Sequence, residues 1–119
     1  MRTDAALIDT LSAQARTERV AWAGGQVCWR GFGSGTPVVL VHGGHGSWLH
    51  WVRNIEALAG QHTVWVPDLP GFGDSDAREG EGLASLLAHT RSTLDALIGA
   101  QTPLEVVGFS FGGLVAAHL

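Results

Sequence analysis

The 119-residue sequence predicts an α/β fold: a mostly parallel sheet with flanking helices, preceded by a β-hairpin. Three observations carry that expectation. Short runs dominated by apolar and β-branched residues recur at Val38–Val41, His62–Val66 and Leu104–Gly108, as strands covered on both faces require. Between them, apolar residues repeat at helical spacing. Composition stays even throughout, so no domain boundary or repeat is marked, and the length suits one domain spanning 1–119.

The elements follow in order. In the N-terminal extension, 1–17, Leu7, Ile8 and Leu11 suit a short amphipathic helix, to which no function is assigned. "RVAWAGGQVCWRGFG" places two β-leaning runs around Gly24-Gly25, a tight hairpin with Trp22 and Trp29 as packing residues. After the strand "VVLV", Ser47 is a helix N-cap. Trp48, Trp51, Val52, Ile55 and Leu58 mark a helical face, and Gly60 stands where a C-terminal cap belongs. After the strand "HTVWV", residues 67–82 form a polar, glycine-rich loop. Leu83, Leu86, Leu87, Thr90, Leu94, Leu97 and Ile98 then trace one face of a helix that stops at Gly99. Pro103 opens the strand "LEVVG", where its missing N–H does least harm, and a last helix starts near Phe111.

Parallel strands joined by right-handed helical crossovers bring the loops "HGGHGS", "PDLPGFGDSD" and "GFSFGG" to the carboxyl edge of the sheet, where such folds bind ligands. Composition narrows what meets them there. Seven basic against eleven acidic side chains give a net charge of −4, and no basic face forms, so nucleic acid is not an expected partner. No stretch approaches a membrane span or a signal peptide, so a cytoplasmic protein is the expectation. The lone Cys28 cannot form an internal disulfide, and no motif suggests a metal or another cofactor.

"GFSFG", Gly108–Gly112, carries the chemistry. A serine that leaves a strand and immediately enters a helix must sit on a sharp, strained turn with its hydroxyl aimed outward. Side chains two positions to either side would collide, so glycine is needed at Gly108 and Gly112. The helix N-terminus at Phe111 offers N–H groups to a developing oxyanion, and Gly44 in "HGGHG" offers a second donor. The plain alternative makes Ser110 a helix cap and nothing more. His45 and Phe109 border the presumed pocket as substrate contacts, and His50 borders it at a solvated position. Asp68 and Asp74 suit hydrogen bonds to loop N–H groups. His89, at the edge of its helix's apolar stripe, is expected to be half exposed.

"VVLVHGGHGSW", "VPDLPGFGDSD" and "VVGFSFGG", in that order and spacing, resemble the N-terminal half of the α/β-hydrolase family over residues of about 20 to 119. The resemblance implies Ser110 as nucleophile, Gly44 and Phe111 as oxyanion donors, and a small-molecule ester or related carbonyl as substrate. It implies that His42, with Gly43 beside it, holds the shape of its loop. Carbon–carbon cleavage of ring-fission products, peptidase action and perhydrolysis also fit the resemblance. Family members with an aspartate nucleophile, epoxide hydrolases and haloalkane dehalogenases, fit less well because residue 110 is serine.

The family's nucleophile is followed by an acid and then a histidine base. After Ser110 stands only His118, about 12 Å further along the helix and out of reach. The sequence therefore reads as the nucleophile half of such an enzyme, inactive by itself. The outer edge of "LEVVG" would then lack a strand partner, and self-association through it is expected. Two rivals exist: a catalytically inactive binding module, and a nucleotide-binding module. The second fails where G-x-G-x-x-G would need glycine and Leu49 stands.

Overall fold

The strand Thr36–Val41 sets the layering. Val38, Val39, Leu40 and Val41 are all buried, yet alternate residues face opposite sides of the sheet. Val38 and Leu40 pack with Phe32, Trp48, Val52 and Ile55, whereas Val39 and Val41 pack with Trp29, Leu86, Leu94 and Val115. The computed structural model, which describes residues 3–76 and 82–119, is accordingly a sheet with helices on both faces.

In chain order the elements are α1 (Asp4–Gln14), β1 (Arg16–Trp22), β2 (Gly25–Gly33), β3 (Thr36–Val41), a 3-10 turn (Trp48–Trp51) running into α2 (Val52–Ala59), β4 (His62–Pro67), α3 (Gly82–Ile98), β5 (Glu105–Gly108) and α4 (Phe111–His118). The five strands lie in the order β1-β2-β4-β3-β5. β3 pairs in parallel with β4 and with β5, while β2 runs antiparallel to both β1 and β4. The hairpin is thus part of the sheet and makes it mixed. Pairing of Val41 with Gly108 brings the carboxyl ends of β3 and β5 level, so the loops after them meet.

Local signals explain most boundaries. Thr3 caps α1, its hydroxyl accepting the Ala6 N–H at 3.1 Å, and Leu11 is the residue of α1 that is buried. The hairpin turns at Ala23-Gly24, both with positive φ, one residue before the predicted Gly24-Gly25, because Trp22 pairs with Gly25. Ser47 caps as expected, accepting the Leu49 N–H at 3.3 Å, but the turn it caps is 3-10 until Val52. Gly60 follows α2 in an ordinary right-handed conformation. Gly99 ends α3 at φ 92°, with its N–H donated to the Asp95 carbonyl at 2.8 Å. Within the predicted loop 67–82, residues 77–81 lie outside the described residues.

One expectation needs correction: His89 is 3% exposed rather than half exposed. The hairpin leans on α3, so the His89 ring packs at right angles to Trp22 at 4.8 Å, with Trp22, a packing residue as expected, still 39% exposed. His89 Nδ1 donates to the Ser85 carbonyl at 2.9 Å.

Candidate active site

Ser110 lies between β5 and α4 at φ 57° and ψ −118°, a conformation disfavoured for a residue with a side chain. It is exposed, and its side chain makes no capping bond to the helix it precedes. The helix-cap reading therefore lacks its bond. A Cβ at Gly108 would collide with the Gly112 carbonyl, and one at Gly112 would collide with the carbonyls of Val41 and His42. The turn is this tight because the Phe109 N–H continues the ladder to the Val41 carbonyl at 3.0 Å, and the chain reverses at once. Phe109 itself projects outward, 58% exposed.

The loop after β3 holds Gly43 between two imidazoles. His42 is fully buried; its Nε2 accepts the Leu69 N–H at 2.9 Å, so Nδ1 carries the proton and donates to the Gly43 carbonyl at 2.7 Å. The Gly43 N–H in turn donates to His50 Nδ1 at 3.2 Å. Burial pushes the His42 pKa below its ordinary value, against the opposing pull of the Gly43 carbonyl and the Asp68 charge. Gly44 comes next, exposed, and a Cβ there would stand 3.8 Å from the Cβ of Phe111. Among the described residues, the N–H groups of Gly44 and Phe111 have no protein acceptor. His45 is exposed at φ 57°, and the turn closes with the Gly46 N–H on the Gly43 carbonyl at 3.2 Å.

Asp68 fixes the second loop. Its buried carboxylate accepts the N–H of Trp48 at 2.8 Å and of Asp74 at 2.9 Å, and pairs with Arg30 at 2.9 Å. Loop N–H groups were the expected partners of Asp68; those of the Asp74 side chain were not found, because Arg30 takes it instead. Arg30 also lies 4.9 Å over the Trp48 ring. Sequence reasoning missed Arg30; the available signal was an arginine inside the apolar strand "VCWRGF". On the same strand Cys28 is buried, and desolvation pushes its thiol pKa up, with the charge of Arg30 opposing, so it remains a protonated thiol.

These loops meet at the carboxyl edge of the sheet beside a groove of about 250 Å³, lined by His50, Trp51, Asn54 and Phe109. His50 is exposed, as expected, and its ring also packs edge-on against His42 and Phe109. The remaining histidines are elsewhere. His62 starts β4 at the far end of the sheet, beside the Thr36 carbonyl, and His118 Nδ1 bonds the Leu114 carbonyl of its own helix. Among the described residues no group of histidine, cysteine and carboxylate side chains could hold a metal, and no helix is long and apolar enough to cross a membrane.

Comparison with known proteins agrees with the fold. The chain is 37% identical over 91 residues to a pimeloyl-[acyl-carrier protein] methyl ester esterase of Vibrio parahaemolyticus, covering 76% of this chain and 33% of that one. It is 40% identical over 87 residues to a soluble epoxide hydrolase of Corynebacterium, covering 72% and 30%. The crystal structure of an epoxide hydrolase from Vigna radiata superposes with a TM-score of 0.73 at 26% identity, over 90% of this chain and 34% of that one. The chain thus spans about a third of the length of such relatives. The family model described as alpha/beta hydrolase fold matches residues 36–119, from the start of β3 through the serine turn, and the chain belongs to that family.

Proposed function

We propose that this chain supplies the nucleophile and oxyanion cradle of a serine hydrolase that acts on an ester or related carbonyl compound. One observation carries the reading: an exposed serine held at φ 57°, uncapped, and followed by Phe111, which lies against Gly44. A Cβ at Gly44 would stand 3.8 Å from the Phe111 Cβ, and both backbone N–H groups are left without a protein acceptor among the described residues. In the reaction, Ser110 Oγ attacks the carbonyl carbon and passes its proton to a histidine base. The two N–H groups take the oxyanion, and collapse expels the alcohol, leaving an acyl-serine for water to cleave. Removing one such donor costs roughly a hundredfold to a thousandfold in rate. His45 and Phe109 contact the substrate in this reading, and His42, Gly43, Asp68, Gly108 and Gly112 hold the loops in place. Serine at 110 favours the esterase side of the family over aspartate chemistry.

In this reading the described residues supply neither the base nor its acid. His42 is buried with both ring nitrogens engaged, His50 Nδ1 accepts the Gly43 N–H, His45 is assigned to substrate contact, His89 lies under the hairpin, and His62 and His118 are bonded elsewhere. That distribution also supports the second reading, a module that binds acyl groups without turning them over. A fluorophosphonate probe separates the two. Applied to a polypeptide continued through the coding DNA beyond Leu119, it is expected to label Ser110, with labelling abolished in Ser110→Ala. Absence of labelling there favours the binding module.

A further inference from the structure

We infer that His50 is a positioning residue for the oxyanion donor: by accepting the Gly43 N–H it occupies that amide and leaves Gly44 as the loop's free donor. The inference rests on the serine-hydrolase reading for its consequence and on independent geometry for its premise. Two glycine amides follow β3 and His42, and Gly43 is tied through two successive peptides. Its N–H, in the His42–Gly43 peptide, donates to His50 Nδ1 at 3.2 Å, and its carbonyl, in the peptide that carries the Gly44 N–H, accepts from His42 Nδ1–H at 2.7 Å. Only a neutral ring with an unprotonated Nδ1 can accept that bond.

The His50 ring is itself clamped. It meets His42 edge-on at 5.9 Å and Phe109 edge-on at 5.8 Å, and a Cβ at Gly46 would run into it. Its backbone N–H is tied to the Ser47 carbonyl at 3.1 Å. The turn 43–46 is therefore curled around this ring, with glycine at 46 where the ring passes closest. Phe109, the neighbour of Ser110, leans on the same ring and stands 3.1 Å from where a Gly43 Cβ would be. One imidazole thus ties the loop of the donor to the turn of the nucleophile.

The test compares His50→Asn, whose side-chain oxygen can replace Nδ1 as acceptor, with His50→Leu, which cannot accept. In nitrogen-detected spectra of the labelled chain, the neutral His50 ring is expected to carry its proton on Nε2. The amide resonances of Gly43 and Gly44 should shift in His50→Leu and return toward wild type in His50→Asn. A proton on Nδ1, or unchanged glycine amides in His50→Leu, overturns the inference. The second arm titrates butylboronic acid, whose boron takes the serine oxygen as its fourth ligand while the hydroxyl proton passes to solvent. Affinity is expected to fall about tenfold in His50→Leu and to stay within about threefold of wild type in His50→Asn. Equal loss in both variants, or none in either, overturns the positioning role. If wild type forms no adduct, the spectroscopic arm alone decides the role of His50, and labelling of Ser110 by the fluorophosphonate probe decides the serine reading.

Discussion

At Ser110 the backbone is held where a side chain costs on the order of 1–3 kcal/mol. Ser110→Gly is expected to raise stability in urea by about 1 kcal/mol over Ser110→Ala, since glycine relieves the strain but adds freedom to the unfolded chain. His42 makes a second prediction. Its folded pKa lies below the ordinary 6.5, so between those values the unfolded chain binds the extra proton and stability falls as pH falls. Protonating Nε2 also removes the acceptor of the Leu69 N–H. The thermal midpoint should drop as pH is lowered from 7 through this window, and His42→Gln should flatten the slope. The glycines at 108 and 112 were legible in the sequence because their need is steric and local. The tie from His50 to Gly43 was not, since nothing in "HGGHGSWLH" tells which imidazole bonds which amide.

The hairpin and the loop after β4 act as one element through Arg30. Its guanidinium joins Asp68 and Asp74 and lies over Trp48, while the Arg19 guanidinium donates to the Asp74 carbonyl at 2.8 Å. Arg30→Met leaves the Asp68 carboxylate buried without its cation, and the expected loss is about 3–5 kcal/mol, measured by denaturant midpoint. Asp68→Asn in the Arg30→Met background should recover part of it, because a neutral amide is cheaper to bury. The period of apolar residues was enough to find each helix and strand of this region. It could not show that β2 pairs with β4, since pairing between segments over thirty residues apart leaves no local trace. The burial of His89 was misjudged for the same reason: it depends on where the hairpin lands.

For the whole molecule, the sheet has two margins of different character. β1, at one margin, is a mostly exposed, charged strand, "RTERVAW", a composition that discourages edge pairing. β5, at the other, is short and apolar, with Val107 43% exposed and a groove of about 270 Å³ on its flank bordered by Leu94, Leu104 and Val106. The chain is expected to self-associate at micromolar concentrations through β5, as read by sedimentation velocity, and Val107→Lys should shift it toward monomer. The open edge of "LEVVG" was expected from the family resemblance rather than from the run itself, and β5 ends the strand order.

β3 has a further property. Val38 and Leu40 serve one core and Val39 and Val41 the other, so a slip by one residue would exchange apolar side chains between the two cores. Gly112 stands so close to the carbonyls of Val41 and His42 that a Cβ there would collide, and this contact marks the alignment the strand adopts. The bend that presents the hydroxyl is also the ruler against which the central strand is measured, so in this chain chemistry and folding share one fiducial mark.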